Sequence, residues 1–208
     1  NSEDSTYQIV GLTLYNGKAE RGGSVYIASR SNPVFKKVIF RSNVHNDYER
    51  WHGGGAVNMQ WASASFYDCI FDGNILDRTN SDNNNSARGG AIFSQDHYQG
   101  EPITRIVRCI FKNNIAKSNR GAYGGAISIN YAPFHIVNSL FYNNTAHSNY
   151  NNTTQSYGSH GAAIYSYGLR SYDNSISDGV SGEGRIINST IVDNHIKSDN
   201  ANSGGHYG

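Results

Sequence analysis

The stretch CIFKNNIAKSNRGAYGGAI, residues 109–127, contains two short motifs that recur along the whole chain. The first motif is Phe-x-x-Asn, from Phe111 to Asn114, and its other copies are Phe40 to Asn43, Phe71 to Asn74 and Phe141 to Asn144, with degenerate copies at Leu14 to Gly17 and Ile191 to Asn194. The second motif is Gly-Gly-Ala-Ile, and its copies begin at Gly22, Gly54, Gly89, Gly124 and Gly161, with a final Gly204-Gly205. The two motifs alternate strictly, and successive copies of the second lie 32 to 43 residues apart. The chain is therefore a tandem repeat.

These residue types suit a solenoid whose coils stack at the spacing of paired strands, about 4.8 Å. A Phe in every coil predicts an interior aromatic stack. An Asn at a turn tolerates left-handed backbone and can bond its amide to the coils above and below. Paired Gly residues fit tight turns, and the Ala with its following Val or Ile starts the next inward-packing strand. The repeat predicts an all-β, right-handed parallel β-helix (β-solenoid) of about six coils, with loop insertions at turns.

The spacing between motifs varies, which predicts insertions that lie outside the coil stack. The longest are residues 75–88, 145–160 and 167–184, and the first two leave the coil at the same turn. We expect residues 1–208 to form one β-helix domain. Because the sequence begins with Asn1 instead of Met, we interpret it as a processed chain or as a segment of a longer protein.

The alternation of Gly-Gly-Ala-Ile with Phe-x-x-Asn resembles the repeats of the polymorphic outer-membrane protein family. More broadly, it is similar to the pectate-lyase-like superfamily of right-handed β-helices. The resemblance covers Tyr7 to Gly205. It implies a secreted or surface-exposed β-helix, commonly an adhesin or passenger domain, and it is specific for fold far more than for function. The membrane-barrel segment that the family carries is not in this sequence.

Composition limits the partners. Charged residues make up 16% of the chain and the formal net charge is +1, so nucleic acid is not an expected partner. No stretch approaches the roughly 18 apolar residues that span a bilayer, and no transmembrane segment is expected. The eight His residues follow no ligand spacing such as His-x-His, so neither a metal nor another cofactor is expected.

The two cysteines, Cys69 and Cys109, each lie two positions before a motif Phe. They should occupy the same position in successive coils, with Cα atoms about 5 Å apart, inside the range for a disulfide. Two interpretations stay open, a disulfide and a pair of small buried apolar side chains.

Surface candidates fall into two groups. Tyr15 and Tyr142, together with Tyr26, Phe93 and Tyr165, follow core residues and should point outward, where Tyr rings stack on sugars or contact a partner, unless they are simply favoured strand residues. Five Asn-x-Ser/Thr sequons are candidate glycosylation sites, at Asn84, Asn143, Asn151, Asn152 and Asn188.

Catalytic carboxylates are dispersed in the sequence, and no catalytic residue is predicted. The best groups are Asp47 with Glu49, Asp96 with Glu101, and Asp173 with Asp178, while Asp72 and Asp193 flank the Phe-x-x-Asn motif. We therefore expect a non-enzymatic structural or adhesive β-solenoid, extracellular or at the cell surface. Its expected partners are copies of itself, end to end in a fibre, and glycans. The alternatives are a polysaccharide lyase or glycoside hydrolase acting in a groove along the coils, and a non-catalytic carbohydrate-binding module.

Overall fold

The computed structural model describes residues 7–46, 52–79, 85–95, 102–149, 158–168 and 184–199. In these ranges the chain forms strands and turns without a helix, and every pair of strands is parallel. No helix in this part of the chain is long and apolar enough to cross a membrane. The molecule is an all-β parallel solenoid of about six coils, which confirms the fold predicted from the repeat.

Four long sheets run along the solenoid, and each coil contributes at most one strand to each of them. The first sheet contains Gln8–Val10, Val34–Lys36, Ser65–Tyr67, Thr104–Val107, Phe134–Val137 and Gly184–Ile187. The second contains Thr13–Tyr15, Ile39–Arg41, Ile70–Asp72, Ile110–Lys112, Leu140–Tyr142 and Thr190–Val192. The third contains Lys18–Ala19, Val44–His45, Ile75–Arg78, Ile115–Ser118, Thr145–Ser148 and His195–Ser198. The fourth contains Val25–Ala28, Val57–Gln60, Ile92–Gln95, Ile127–Asn130 and Ile164–Tyr167.

A short fifth sheet pairs Ala87–Arg88 with Ala122–Tyr123, just before two of the Gly-Gly motifs. We number the coils 1 to 6 by the first-sheet strand with which each begins. Those strands start at Gln8, Val34, Ser65, Thr104, Phe134 and Gly184.

The motif Phe residues stack in register along the second sheet. Neighbouring ring centroids from Phe40 through Phe71 and Phe111 to Phe141 are 4.5, 4.5 and 4.8 Å apart, with the ring planes within 4° of parallel. All four rings are fully buried. Stacking in register follows from the constant strand length, because each coil places its Phe directly above the one before.

The motif Asn residues form a hydrogen-bonded ladder beside the Phe stack. Between coils 3 and 4, Oδ1 of Asn114 accepts from the main-chain N–H of Asn74 at 3.0 Å and from its Nδ2 at 2.9 Å. Nδ2 of Asn114 also donates to the carbonyl of Phe71 at 3.0 Å. The same pattern links Asn43 to Asn74, Asn114 to Asn144 and Asn144 to Asn194. At this turn the main-chain N–H of each Asn does not pair within a sheet, and the Asn side chain of the next coil supplies its acceptor.

The left-handed backbone is one residue away from its predicted place. The ladder Asn residues do not adopt positive φ. The preceding residue does so instead, as at Ser42 (52°), Gly73 (64°) and Asn113 (59°). The reason is geometric: the left-handed residue turns the chain out of the second sheet, and the Asn then points along the coil axis, where its amide reaches the next coil.

The Gly-Gly turn brings three main chains into contact. A Cβ on Gly90 would lie 2.1 Å from the carbonyl oxygen of Gly125 in the next coil and 2.5 Å from the nitrogen of Ile115. Gly89 before it has a φ of 72°. The first Gly is therefore required by backbone conformation and the second by close approach of the neighbouring coil.

The predicted starts of two insertions are wrong, and so is the predicted outward exposure of Phe93. The first two predicted insertions include the third-sheet strands Ile75–Arg78 and Thr145–Ser148, because their alternating side chains pack into the coil stack. Phe93 does not point into solvent: it is fully buried, and its ring lies against Gly53, so the chain before the second Gly-Gly motif covers this part of the fourth sheet.

Candidate functional surfaces

Cys69 and Cys109 lie at equivalent positions in coils 3 and 4, and both are buried, free thiols in this structure. A disulfide between them stays a prediction. Sγ of Cys69 donates to the carbonyl of Phe35 at 3.5 Å, and Sγ of Cys109 donates to that of Phe66 at 3.4 Å. Burial raises the pKa of the Cys109 thiol above its ordinary range, so the thiol stays protonated at neutral pH. A buried protonated thiol packs as a small apolar side chain and is a poor nucleophile.

The carboxylate of Asp72 projects outward from the second sheet between two cations. Its Oδ2 is 3.5 Å from Nε of Arg41 in coil 2 and 3.4 Å from Nζ of Lys112 in coil 4. Asn113 Nδ2 also donates to its Oδ1 at 3.1 Å. These contacts hold the carboxylate in an ion-paired column along the solenoid.

Arg108 and Asp68 form a second outward ion pair, at the turn between the first and second sheets. Nε and Nη2 of Arg108 donate to the two carboxylate oxygens of Asp68 at 2.7 and 2.9 Å, in a bidentate arrangement. The guanidinium holds the pKa of Asp68 below its usual range. Such exposed pairs link neighbouring coils without forming an enclosed site.

Most of the predicted acidic groups lie outside the described residues. This applies to Asp47, Glu49, Asp96, Glu101, Asp173 and Asp178. In the part of the chain that is described, no three His, Cys, Asp or Glu side chains come together as metal ligands.

Of the five sequons, two lie in the described structure. Asn188 is exposed at the turn between the first and second sheets of coil 6, with a φ of 48°. Asn143 is half-buried, and its Nδ2 donates to Oδ1 of Asn113 at 2.8 Å. Asn84, Asn151 and Asn152 fall outside the described residues. Asn188 thus presents the more accessible amide, and glycosylation stays a prediction.

The predicted surface tyrosines lie on different faces. Tyr15 and Tyr142 are exposed on the second sheet, 61% and 44% respectively, and Tyr26 is exposed on the fourth sheet, where its hydroxyl donates to Oε1 of Gln60 at 3.0 Å. Tyr165 belongs to a cluster of rings that includes Tyr167 on the fourth sheet and Tyr123 on the short fifth sheet. The structure therefore brings Tyr165 together with aromatic residues that the sequence analysis did not select.

Sequence reasoning missed most of this cluster, although a signal was present. Tyr123 and His160 each stand directly before a Gly-Gly or Gly-Ala turn, and their rings stack with centroids 5.3 Å apart. Sequence reasoning also missed Arg78, which is fully buried and donates to the carbonyls of Ser86 and His52 at 2.9 and 2.8 Å. Arg78 fastens the chain around the Gly-Gly turns to the third sheet.

Comparisons of the chain with protein-family models, with curated proteins and with solved structures find no match. The fold and the surfaces described above therefore carry the functional argument.

Proposed function

We propose that the chain is a non-enzymatic, extracellular structural or adhesive β-solenoid that assembles end to end. The observation that carries the proposal is the exposure of core positions in the two end coils. Leu12 in coil 1 is 40% exposed, and Ile186 and Ile191 in coil 6 are 46% and 51% exposed. The equivalent residues of the adjacent coils, Val38, Ile136 and Phe141, are fully buried. These side chains face the solenoid interior, and no coil among the described residues covers them.

Among the described residues, the same holds for main-chain groups of coils 1 and 6. Within the described structure, Gln8–Val10 pairs only with Val34–Lys36, and Gly184–Ile187 pairs only with Phe134–Val137. An unpaired parallel strand beside exposed apolar side chains is a template for a further strand. Because the two ends are different surfaces, contact between them is heterologous and generates an open filament.

The Asn ladder sets the strength of such a contact. We call the outer side of coil 6 the upper end and the outer side of coil 1 the lower end. Asn194 is the last described rung at the upper end, and in a head-to-tail stack it would face position 17 of the next copy. That position is Gly17, which has no side-chain oxygen to accept hydrogen bonds from Asn194. The N–H of Gly17 donates to Oδ1 of Asn43 in its own copy, at 2.9 Å. The junction therefore buries apolar edges without completing the ladder. We expect it to be weaker than the contact between coils within the chain, and to dissociate on dilution.

Two further features support this function over catalysis in a groove. The ion pairs of Asp72 and Asp68 engage these carboxylates with cations of neighbouring coils. The exposed sequon at Asn188 suits a glycosylated surface protein. A β-helix of this kind also fits the resemblance to adhesin and passenger repeats.

Sedimentation velocity across a range of protein concentrations, with electron microscopy of the largest species, tests assembly. We expect a concentration-dependent series of elongated oligomers. Ile186→Asp should abolish it, because the carboxylate would be buried unpaired at the junction. The matched control is Ile187→Asp, where the adjacent side chain points outward, and that variant should still assemble.

Mixing variants tests the head-to-tail geometry. Ile186→Asp blocks the upper end and Leu12→Asp blocks the lower end, so each variant alone should be monomeric and the mixture should form dimers that do not grow. Wild-type protein that stays monomeric at every concentration would contradict the proposal. Equal effects of the Ile186 and Ile187 changes would do the same.

A further inference from the structure

One row of outward side chains on the third sheet runs through all six coils, and we call it the outer column of the third sheet. Its members are Glu20, Asn46, Asp77, Lys117, His147 and Lys197. The preceding residues of coils 3 to 5 are fully buried, so alternation along each strand points the column outward. The first member is fixed by the pairing of Ala19 with His45 and by the hydrogen bond from the N–H of Asn46 to the carbonyl of Ala19, which set Glu20 beside Asn46.

This column brings opposite charges of adjacent coils together. Nζ of Lys117 in coil 4 lies 3.8 Å from Oδ2 of Asp77 in coil 3. The two end members, Lys197 in coil 6 and Glu20 in coil 1, are oppositely charged as well, and both are exposed. Neither makes an ion pair within the part of the chain that the structure describes. The two ends of the column are therefore accessible and complementary in charge.

The outer column of the second sheet has apolar side chains at both of its ends. Tyr15 in coil 1 is 61% exposed and Val192 in coil 6 is 42% exposed. Between them the column contains an ion-paired group, in which Asp72 contacts Arg41 and Lys112. An aromatic ring beside a β-branched side chain is a favourable cross-strand pair, so these two ends also match each other.

We propose that copies of this chain associate in the same register that the coils follow within the chain, with Lys197 of one copy beside Glu20 of the next and Val192 beside Tyr15. The register rests on the end-to-end assembly of the proposed function and adds the residues that align one copy on the next. The partner is a second copy of the chain because the two complementary halves of each pair lie at its opposite ends. Both outer columns then continue across the junction.

Other registers lose these contacts. A slip of one residue turns the apolar core side chains of one copy outward. A slip of two residues keeps the faces but, in one direction, sets Lys197 beside Lys18, where like charges repel. In the other direction it sets Val192 beside Gly17, which has no side chain to pack against it. Of these registers, the one that the coils follow is the one that forms both pairs.

Sedimentation velocity of the full chain at low ionic strength, about 0.01 M, tests the charged pair. The register also places His195 beside Lys18, so the measurement is made at about pH 8, where a histidine side chain is uncharged. Lys197→Glu and Glu20→Lys should each weaken association about tenfold, because an ion pair becomes a pair of like charges. An equimolar mixture of the two variants should associate as the wild type does, since every junction between unlike copies restores opposite charges.

Two matched controls separate the junction from general effects. Arg105→Glu makes the same change in net charge as Lys197→Glu, at an exposed position of coil 4, and should leave association unchanged. Tyr15→Ala should weaken association about threefold, because it removes the ring that packs on Val192. Tyr142→Ala removes an exposed ring of the same column in coil 5 and should have no effect.

The outcomes distinguish the register from assembly itself. If the wild type assembles but the two charge variants behave as Arg105→Glu does, or if their mixture associates no better than either alone, the register is wrong and the proposed function stands. Equal effects of Tyr15→Ala and Tyr142→Ala would also overturn the register. Wild-type protein that stays monomeric would overturn both.

Discussion

Removal of one central rung of the Asn ladder should destabilise the protein far more than removal of the last rung. The perturbation is Asn114→Ala. The side chain of Asn114 is fully buried, and its Oδ1 is the acceptor for the main-chain N–H and for Nδ2 of Asn74, at 3.0 and 2.9 Å. Its Nδ2 donates to the carbonyl of Phe71 and to Oδ1 of Asn144. Truncation removes all four hydrogen bonds.

The magnitude follows from the groups left behind. Asn144 Oδ1 keeps the bond from the main-chain N–H of residue 114, at 3.1 Å. Two donors of Asn74 lose their acceptor inside the coil stack, and each buried unsatisfied donor costs about 1–3 kcal/mol, so we expect a loss of roughly 2–6 kcal/mol in the free energy of unfolding.

The matched control is Asn194→Ala at the open end of the ladder. Its Oδ1 accepts the equivalent pair of bonds from Asn144, at 2.9 and 2.8 Å. No described coil covers this rung, so water replaces the lost acceptor and the expected loss is about 1 kcal/mol or less.

Urea unfolding followed by far-ultraviolet circular dichroism measures both losses, at a concentration where the chain is monomeric. Hydrogen exchange of the Asn74 N–H gives a local check, because this amide should lose protection only in Asn114→Ala. Equal losses for the two variants, or a loss below about 1 kcal/mol for Asn114→Ala, would refute the assignment of the ladder as a main source of stability.

Three further perturbations have defined outcomes. Gly90→Ala should prevent stable folding, because its Cβ would lie 2.1 Å from the carbonyl oxygen of Gly125. Gly73→Ala, at a φ of 64° and with no atom nearer than 3.9 Å to the new Cβ, should cost only about 1 kcal/mol of backbone strain. Thermal unfolding compares the two variants, and similar melting temperatures would contradict the close-packed turn. Phe111→Ala should lower the free energy of unfolding by about 3–5 kcal/mol, because it opens a cavity between two stacked rings, and a urea midpoint within error of the wild type would be inconsistent with that packing. Burial raises the pKa of the Cys109 thiol, while the hydrogen bond with Cys109 lowers the pKa of Cys69, so the folded pair keeps one proton at a pH where both thiols of the unfolded chain have ionised. Stability should therefore fall as pH rises through about 9, with a slope that approaches about 1.4 kcal/mol per pH unit near pH 10. Urea unfolding between about pH 9 and 10.5 should show this fall in the wild type and a shallower one in the double variant Cys69→Ala/Cys109→Ala, and parallel slopes would count against it.

The sequence alone predicted the fold because its two motifs are physical requirements of a parallel coil stack. The Phe repeat corresponds to a continuous column of rings, and the paired Gly residues correspond to turns where three main chains converge. Such requirements recur once per coil, so they remain visible as a period even where the loops between them change length.

Other features depended on contacts that the period does not contain. Whether Cys69 and Cys109 are bonded was left open by the repeat, since bonded and free cysteines have the same position in a coil. Phe93 occupies an outward strand position, yet it is buried because chain from another coil, at Gly53, covers it. The left-handed residue was displaced by one position, because the turn and the ladder impose different requirements on adjacent residues.

The tyrosine cluster on the fourth sheet divides in the same way. The sequence marked Tyr165 as an outward-facing ring, since alternation along a strand determines which side chains leave the core. Only the tertiary structure brought Tyr131, Tyr167 and Asn130 to its side, because these residues come from two coils and from a turn whose geometry is set by the stacking of one coil on the next. Local sequence determines the direction of a side chain, and the pairing of distant strands determines which side chains become its neighbours.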